Sequence, residues 1–449
     1  MVVLAKPSIM GHTLLVPIFQ LITNPVSALT HIHAKYGDQV FVNFFNSKLL
    51  FVCNPEHIAE VYGLEGKGLM SRDFMYEAKK LLFGDGLVNS KSGLWTKQRR
   101  LMHPLFTSEA IAVWGQHFVE EADRLANNLK KSTNPDVNLS SELKVLIQRI
   151  FIRVLFGKSA DTMEDADILI DSMSAITNGL APHLVTETIG KGKLKILFPF
   201  HAWRLRKAIN HLTTFVHKEI QVKNDQPSHD LISLLMQARD KRTGYAMTKE
   251  LLKDEAVNLF FAGQDTTINT LSWFFYLIGK HQSIQDEIID EIKKHRKDQL
   301  TQENLTKLTY TKAALYETLR LYPPTTALAT QAIKDVMIGK RSVIKGTTII
   351  ISMYAAHRDK ALWERPDEFY PEHFINQAAS KRHKYAFFPF GGGLHNCIGK
   401  HFAELEMMVI IVTLLREFKI ITHADIKEAF SITLKPNIDV MVTLIPLNT

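Results

Sequence analysis

The most informative stretch of this 449-residue chain is Phe387-Phe-Pro-Phe-Gly-Gly-Gly-Leu-His-Asn-Cys-Ile-Gly-Lys-His401. It holds Cys397, one of only two cysteines, and leads into the apolar run of residues 407–412. The pattern predicts a glycine-rich loop with the cysteine at the start of an amphipathic helix. Because a helix N-terminus favours the thiolate, which is the form that binds metals, we expect Cys397 to be a metal ligand.

Other chemistries of a glycine-rich loop fit this stretch less well. A phosphate-binding Walker loop has four residues between its first glycine and Gly-Lys, whereas five residues separate Gly393 from Gly399. A dinucleotide-binding loop would follow a strand, and this one follows an aromatic-rich segment. A cysteine nucleophile with His395 as its base stays open. The other cysteine, Cys53, is interpreted as a buried, inert thiol.

The composition bounds the function classes. The chain is 46% hydrophobic and 22% charged, which is typical of a globular protein. Two cysteines exclude a disulfide framework and any zinc site of three or four thiolates. The net charge of +8 is carried in short basic clusters, interpreted as solvated helix faces or as a docking face for an acidic partner. No cluster has the length or the interleaved aromatic residues of a nucleic-acid-binding arm.

The predicted secondary structure divides the chain into β-rich ends, at about residues 35–60 and 417–447, and a helical lobe at about 90–320. We expect one domain over residues 1–449, since no composition shift marks a linker. No segment reaches the roughly 20 apolar residues that span a bilayer. The sequence therefore predicts a cytoplasmic protein without a transmembrane anchor, and it leaves peripheral membrane contact by the apolar N-terminus open.

Particular strands are predicted at both ends. Residues 39–45 and 48–53 are apolar, β-branched and aromatic runs on either side of Asn46-Ser47, which predicts a hairpin. Near the C-terminus, strands are expected at residues 418–421, 431–434 and 440–445.

Five motifs occur in the order of one known family. They are Trp95-x-x-x-Arg99, Ala262-Gly-Gln-Asp-Thr-Thr267, Glu317-Thr-Leu-Arg320, Phe369-Tyr-Pro-Glu-His-Phe374 and Phe390-x-x-Gly393-x-His395-x-Cys397-x-Gly399. On these motifs the chain resembles the cytochrome P450 superfamily of haem-thiolate monooxygenases, in its soluble bacterial type. The segment from Phe83 to Val88 is most similar to fatty-acid hydroxylase branches. The resemblance implies a mainly α fold with a small β-rich lobe, and haem b between two central helices.

The resemblance implies how the haem is held. Cys397 is expected to be the axial ligand of the iron, with Phe390 packed beside the ring. The family motif also places Gly393 and Gly399 in the cofactor-binding loop.

The haem propionates need cationic or hydrogen-bonding partners. Trp95 and Arg99 are spaced i,i+4, so they share one helix face, and the resemblance assigns both to the propionates. His395 stands where the family often has Arg and is assigned the same role. Many members have a further Arg or His near Thr330, which this sequence lacks.

A polar cluster interrupts the apolar helix predicted around residues 256–278. The resemblance implies that Asp265 relays protons from solvent and that Thr266 holds a water in the oxygen-activating network. Ala262 and Gly263 would leave room for O₂. The structural alternative is a threonine bonded back to the helix and an aspartate paired elsewhere.

Glu317 and Arg320 share a helix face at i,i+3 and are interpreted as a structural ion pair rather than a catalytic one. The family's third member of this cluster is usually Arg, and here His373 takes its place. A triad with histidine is expected to be partly neutral and somewhat sensitive to pH.

The implied reaction consumes O₂, two electrons and two protons per hydroxylated product. A separate redox partner is therefore expected, an acidic ferredoxin or flavodoxin with its NAD(P)H reductase. Lys97, Arg100 and Lys400 are candidates for its docking face. We expect the protein to be a monomer.

The substrate is expected to be hydrophobic, a fatty acid, terpenoid or sterol-like molecule, since residues 74–88 and 176–200 would line the pocket and are mostly apolar. Two alternatives from other classes remain. One is a haem protein that is not an oxygenase, such as a gas sensor or carrier. The other is a cysteine hydrolase that uses Cys397 and His395.

Overall fold

The computed structural model describes residues 25–44, 47–162, 166–190, 199–225, 229–375 and 381–447. The helices are α1 (Pro25–Tyr36), α2 (Pro55–Gly66), α3 (Tyr76–Phe83), α4 (Ser92–Met102), α5 (Ser108–Ala112), α6 (Gly115–Lys131), α7 (Leu139–Phe156), α8 (Ala166–Gly190), α9 (Pro199–Asp225), α10 (Leu231–Gln237), α11 (Lys249–Lys280), α12 (Gln282–Lys294), α13 (Gln302–Leu305), α14 (Thr309–Leu321), α15 (Met353–Ala356) and α16 (Lys400–Glu417). The strands are β1 (Gln39–Phe44), β2 (Ser47–Val52), β3 (Met70–Ser71), β4 (Asp136–Asn138), β5 (Ala327–Ala332), β6 (Val336–Ile338), β7 (Arg341–Val343), β8 (Thr348–Ser352), β9 (Phe418–Ile421), β10 (Glu428–Phe430), β11 (Leu434–Pro436) and β12 (Met441–Pro446).

Side-chain caps set the ends of the long helices. Thr248 precedes α11, and its hydroxyl accepts a hydrogen bond from the backbone N–H of Leu251. Asn138 caps α7 in the same way, and α7 ends at Gly157. The φ of Gly157 is 66°, a left-handed value that favours glycine at a helix C-terminus. These caps determine which side chains of α7 and α11 can meet.

One unit contains the described residues up to Phe74, together with Ala313–Cys397 and Glu428–Lys435. Its sheet has the strand order β1-β2-β8-β5-β3, with β2 and β8 parallel and the other neighbours antiparallel. β1 and β2 form the predicted hairpin, whose turn residue Asn46 lies outside the described residues.

The second unit contains Met75–Lys312, Ile398–Lys427 and the described residues from Pro436 onward. It is helical apart from the antiparallel sheet β4-β12-β9. Helix α11 runs through it and packs against α7, α9, α10 and α16. Most residues of the last three turns of α11 are apolar and buried, as at Phe274 and Phe275.

The predicted fold class, mainly α with small sheets, is confirmed. The strand predicted at residues 431–434 is wrong, because the backbone N–H of Ser431 bonds to the carbonyl of Thr433 and closes the turn between β10 and β11. Within the described residues, no helix is long and apolar enough to cross a membrane. The single domain over residues 1–449 stays a prediction.

Candidate active site

The Cys397 loop (residues 387–399) connects the irregular segment that follows α15 to α16. Gly391 and Gly393 have φ values of 73° and 64°, in the left-handed region that favours glycine. The backbone N–H of Cys397 donates to the carbonyl of Phe390 at 2.8 Å and closes the loop. Cys397 is exposed. The helix begins only after Gly399, so the cysteine precedes α16 rather than opening it as predicted.

Two tyrosines explain why this loop needs glycine. A Cβ at Gly392 would lie 2.5 Å from the Tyr385 ring and 2.7 Å from the Tyr62 ring, and a Cβ at Gly393 would lie 2.9 Å from Tyr62. The ring centroids of Tyr62 and Tyr385 are 5.0 Å apart. The close approach of Tyr62, which lies on α2, could not be read from the sequence around the loop.

Glu317 and Arg320 form a buried ion pair on α14, as their spacing predicted. Both side chains are fully buried. The guanidinium donates through Nε and Nη2 to the two carboxylate oxygens at 2.8 and 2.7 Å. Burial by itself would raise the pKa of Glu317, but hydrogen bonds from Arg320 and His373 outweigh burial, so this pKa lies below its ordinary value.

Arg320 also ties α14 to the irregular segment that follows α15. Its Nη1 donates to the carbonyls of His357 and Pro366 at 2.8 and 2.6 Å. Its Nη2 donates to the carbonyl of Glu368 at 3.0 Å. One guanidinium therefore satisfies three carbonyls that have no strand or helix partner, which is the structural role expected of it.

His373 completes the cluster in the position where the family usually has Arg. Its Nδ1 lies 3.1 Å from Glu317 Oε1, and its Nε2 faces the backbone carbonyl of Glu364. An ionised carboxylate and a carbonyl can only accept hydrogen bonds. Both ring nitrogens therefore face acceptors, as the donors of an arginine would in this position, and the partly neutral, pH-sensitive triad stays a prediction.

Asp265 and Thr266 lie in the middle of α11, where the helix is accessible. Ala262 is exposed, and both members of the pair are half-buried, although the following turns of α11 are buried. The Thr266 hydroxyl donates to the carbonyl of Ala262 at 3.0 Å, and Asn269 Nδ2 donates to Asp265 Oδ2 at 3.3 Å. The back-bonded threonine foreseen as an alternative is thus present. Its oxygen can still accept a hydrogen bond from water.

Gly263 serves helix packing. A Cβ at Gly263 would lie 2.0 Å from Cζ of Phe151 on α7. The Phe151 ring also packs against Phe402 of α16, with ring centroids 5.2 Å apart. Phe151 therefore occupies the space of a side chain at Gly263, and the prediction that Ala262 and Gly263 leave room for O₂ stays a prediction.

Glu406 on α16 is a buried carboxylate that the sequence analysis missed. It is fully buried, and neither of its oxygens has a hydrogen-bond partner. The Gln264 side chain on α11 is also buried, and both its polar atoms lack partners. Burial raises the pKa of Glu406 well above its ordinary value. The nearby Thr267 hydroxyl donates to the Gly263 carbonyl instead, at 2.9 Å. The signal available in the sequence was one acidic residue directly before the apolar run 407–412.

Trp95 and Arg99 lie one turn apart on α4, and each is half-buried. The neighbouring Gln98 is fully buried, and its Nε2 donates to the carbonyl of Asp85 at 2.7 Å. This bond attaches α4 to the segment before it, which fixes the direction in which the helix presents its residues.

The first turns of α11 also bind the segment before α4, at residues 85–88. Asp254, Glu255 and Asn258 accept hydrogen bonds from backbone N–H groups of residues 85–88 at 2.9, 3.0 and 3.0 Å. Glu255 is fully buried, and burial raises its pKa to about 8, although the Leu87 N–H partly opposes this. These acceptors were not recognised in the sequence, because their partners lie about 170 residues earlier.

The side chains present fit a thiolate-ligated haem. Among the described residues, Cys397 is the exposed cysteine and Cys53 is buried. The glycine-rich loop fixes the Cys397 backbone while leaving the residue accessible. His395, in the same loop, is half-buried and carries an N–H donor of the kind that binds carboxylates.

Comparisons with known proteins support this interpretation. The family model for Cytochrome P450 matches residues 7–442. The cyclooctat-9-en-7-ol 5-monooxygenase of Streptomyces melanosporofaciens is 27% identical over 421 residues, 92% of this chain and 87% of that protein. A cytokinin hydroxylase of Arabidopsis thaliana is 28% identical over 393 residues, 83% of this chain and 74% of that protein. The crystal structure of the cytochrome P450DA haem domain has the same fold, with a TM-score of 0.84 at 21% identity over 94% of this chain and 93% of that one.

The family match decides among the function classes left open by the sequence. Its members carry a haem iron and use O₂, an organic substrate and a redox partner. The relatives named above are a hydroxylase and a monooxygenase, which favours an oxygenase over a gas carrier or a cysteine hydrolase. The chain therefore belongs to the cytochrome P450 family and is a haem-dependent monooxygenase.

Proposed function

We propose that this monooxygenase binds haem b through the thiolate of Cys397 and inserts one oxygen atom into a hydrophobic substrate, with electrons from a separate redox protein. The Cys397 loop carries the proposal, because the cysteine is exposed while its backbone N–H is held by the Phe390 carbonyl. A thiolate-ligated haem, when bound, supplies the electron density that favours O–O bond cleavage. Phe390, Gly393 and Gly399 would shape the protein surface against the ring.

Three side chains are proposed to hold the haem propionates. Trp95 and Arg99 would contribute an indole N–H and a guanidinium from adjacent turns of α4. His395 would contribute from the Cys397 loop, where it is half-buried. The buried Gln98 supports the first two, because it anchors α4 to the backbone of Asp85.

Asp265 and Thr266 are proposed to move protons during the reaction. The Asp265 carboxylate is half-buried, so solvent can protonate it, and the Asn269 amide orients it. The Thr266 hydroxyl donates a hydrogen bond to the Ala262 carbonyl, so its oxygen can accept a hydrogen bond from a water. Ala262, exposed on the same face, leaves that position open.

A hydrophobic substrate, whether a fatty acid, a terpenoid or a sterol-like molecule, is supported by apolar side chains that remain accessible before α4. Leu81 and Val88 are exposed by 38% and 42%, so both side chains are available to contact an apolar molecule. The predicted second lining segment, residues 176–200, lies partly outside the described residues. Relatives with hydroxylase and monooxygenase names fit insertion of oxygen into a C–H bond.

An acidic ferredoxin or flavodoxin with its NAD(P)H reductase is proposed as the electron donor. Lys97 and Lys400 are exposed and would form the core of its docking face. Arg100 is a weaker candidate, because its guanidinium pairs closely with Asp240, whereas Lys400 Nζ lies 4.0 Å from Glu404 Oε1. Charge reversal at Lys97 or Lys400 should therefore slow reduction and weaken its dependence on salt, and Arg100→Glu should have less effect. If the three charge-reversal variants were reduced at the same rate as one another, or at the wild-type rate, the proposed docking face would be wrong.

A carbon monoxide difference spectrum tests the haem ligand. The reduced wild-type protein with CO should show the red-shifted Soret band of a thiolate-ligated haem, and Cys397→Ser should lose it. Cys53→Ser, which changes the other cysteine, should keep the band position. A wild-type band at the position typical of histidine ligation would overturn the assignment of Cys397. A panel of lipophilic ligands, read by the shift in spin state, would then narrow the substrate class.

Coupling of electron use to product formation tests the proton-delivery pair. Thr266→Ala and Asp265→Asn should consume NAD(P)H with a surrogate reductase system but form less product per NAD(P)H. Thr213→Ala is a matched control, because Thr213 makes the same hydroxyl–carbonyl bond to Ile209 on α9. Unchanged coupling in both α11 variants would remove the pair from the mechanism.

A further inference from the structure

Three potential metal-ligand atoms converge near the start of the described chain. Sγ of Cys53, Nδ1 of His33 and a carboxylate oxygen of Asp38 all lie within 4.8 Å of one another. Sγ is 2.8 Å from Nδ1, and Asp38 Oδ1 is 3.5 Å from the same nitrogen. We propose that these side chains bind one zinc ion, with water as the fourth ligand. One thiolate, one imidazole and one carboxylate match the donors and the coordination number that Zn²⁺ prefers.

The backbone holds the three ligands in place without a metal. His33 lies in the last turn of α1, Asp38 directly before β1 and Cys53 directly after β2. The N–H of Gly37 donates to the carbonyl of His33 at 2.9 Å, and the N–H of Cys53 donates to the carbonyl of Asp38 at 3.3 Å. A zinc ion at this point would join α1 to both strands of the hairpin.

Neighbouring side chains orient the ligands as metal sites require. Asp359 Oδ2 lies 3.8 Å from His33 Nε2, so a carboxylate faces the ring nitrogen that would not bind zinc. Asn54 Nδ2 donates to Asp38 Oδ2 at 3.4 Å, on the oxygen other than the one nearest His33. Among the described residues, His33 is the basic side chain that pairs with both carboxylates. A divalent cation would balance this local excess of acidic groups.

The space beside the three proposed ligands is also suited to a metal ion. A small cavity borders His33, Asp38, Cys53 and Ser352, with about 10 Å³ of free space, which is room for about one water. Zinc binds a cysteine as its thiolate, so binding should release the Cys53 thiol proton to solvent. Ideal zinc geometry would put sulfur and nitrogen about 3.5 Å apart, so binding would widen the present pair by less than about 1 Å.

Zinc retention tests the site. The haem-loaded protein, stripped of loose metal with a chelator and dialysed against micromolar zinc sulfate, should keep one zinc per chain by elemental analysis. Cys53→Ser and His33→Gln should fall to background. His31→Gln is the matched control, because His31 is exposed on the same helix and should leave retention unchanged. Asp359→Asn should weaken the affinity roughly 10- to 100-fold, as removal of an orienting partner does.

Zinc-edge X-ray absorption on the wild type avoids any variant that fails to fold. One sulfur neighbour at about 2.3 Å is expected, with nitrogen and oxygen completing the shell. In the haem-loaded protein Cys397 is proposed to bind iron, so the sulfur should come from Cys53. A wild-type protein without stoichiometric zinc, a shell of nitrogen and oxygen alone, or a sulfur neighbour that persists in Cys53→Ser would each overturn the proposal.

Discussion

Glu317 in the first unit and Glu406 in the second are both fully buried carboxylates, yet their surroundings are opposite. Glu317 accepts hydrogen bonds from a guanidinium, an imidazole and the backbone N–H of Tyr370. Glu406 has no hydrogen-bond partner on either oxygen. The pKa of Glu317 is lowered and that of Glu406 is raised. Donors, rather than depth of burial, therefore decide whether a buried carboxylate is charged.

The difference follows from the local backbone. Glu317 faces a long segment with little regular structure, whose carbonyls and N–H groups need side-chain partners, and the cluster around Arg320 supplies them. Glu406 lies where α16 meets α11, and the backbone groups of both helices already bond within each helix. Only side chains can donate there. Charge thus organises the irregular segment, and apolar packing organises the helix interface.

Removal of the paired carboxylate should have the largest effect. Glu317→Gln leaves the buried Arg320 without its counter-charge, so we expect a loss of about 3–5 kcal/mol in the free energy of unfolding. Urea unfolding of the haem-loaded protein, followed by haem absorbance, measures it. Glu368→Gln is the control, because the Glu368 side chain is 66% exposed and should change stability little. Equal stability of Glu317→Gln and wild type would show that the ion pair does not hold this region.

The protonated Glu406 carboxyl should make the free energy of unfolding depend on pH. Because the pKa of Glu406 is raised on folding, the folded state keeps a proton that the unfolded state loses above about pH 4.3. Stability therefore falls as pH rises above that value, with a limiting slope of about 1.4 kcal/mol per pH unit for one proton. Glu406→Gln should remove this slope, so the variant gains on wild type as pH rises. Glu404→Gln, on the same helix but partly exposed, should keep the slope. Parallel pH profiles for Glu406→Gln and wild type would contradict the buried neutral state.

His373 should contribute less to stability than the Glu317–Arg320 ion pair that it contacts. His373→Asn removes one charge-assisted donor to Glu317, so we expect a loss of about 2 kcal/mol in the free energy of unfolding. His373→Arg should restore most of it, because a guanidinium supplies a positive charge and several donors. A loss in the asparagine variant that arginine does not recover would mean that shape, rather than charge, is what matters at this position.

Glu255 provides an intermediate case with the smallest expected effect. One of its oxygens accepts the N–H of Leu87 and the other has no partner, and its pKa is raised to about 8. The folded protein therefore loses the Glu255 proton near pH 8. Above that pH, Glu255 no longer makes the free energy of unfolding depend on pH. Between pH 7 and 9, Glu255→Gln should gain only about 1.4 kcal/mol on wild type, and most of it below pH 8. If the stability gain of Glu255→Gln instead continued evenly to pH 9, Glu255 would keep its proton in the folded state over this whole range, as we expect of Glu406.

Local patterns predicted what depends on near neighbours. Apolar and β-branched runs on either side of a turn signal predicted the β1–β2 hairpin, and the i,i+3 spacing predicted the pairing of Glu317 with Arg320. The strand predicted at residues 431–434 failed, because a β-branched run there is bent into a turn by the bond from Ser431 to Thr433. The strand propensities of the residue types do not predict such a hydrogen bond.

Long-range packing decided the features that the sequence missed. Gly263 is required by Phe151, and Gly392 by Tyr62 and Tyr385, although the flanking residues give no sign of these neighbours. Glu406 is buried because α16 packs against α11. A helical period shows which face of a helix is apolar, but it does not show which distant element covers that face.

The sequence by itself determined the family and the chemistry, because five motifs in one order carry the cysteine, the acid–alcohol pair and the ion pair, and each is local in the chain. The tertiary structure alone decided the state of those groups: that Thr266 is bonded back to its helix, that His373 faces two acceptors, and that Cys53 meets His33 and Asp38. The physical reason is that residue type supplies the donors and acceptors, whereas charge, protonation and metal binding depend on which of them folding brings within a few ångströms.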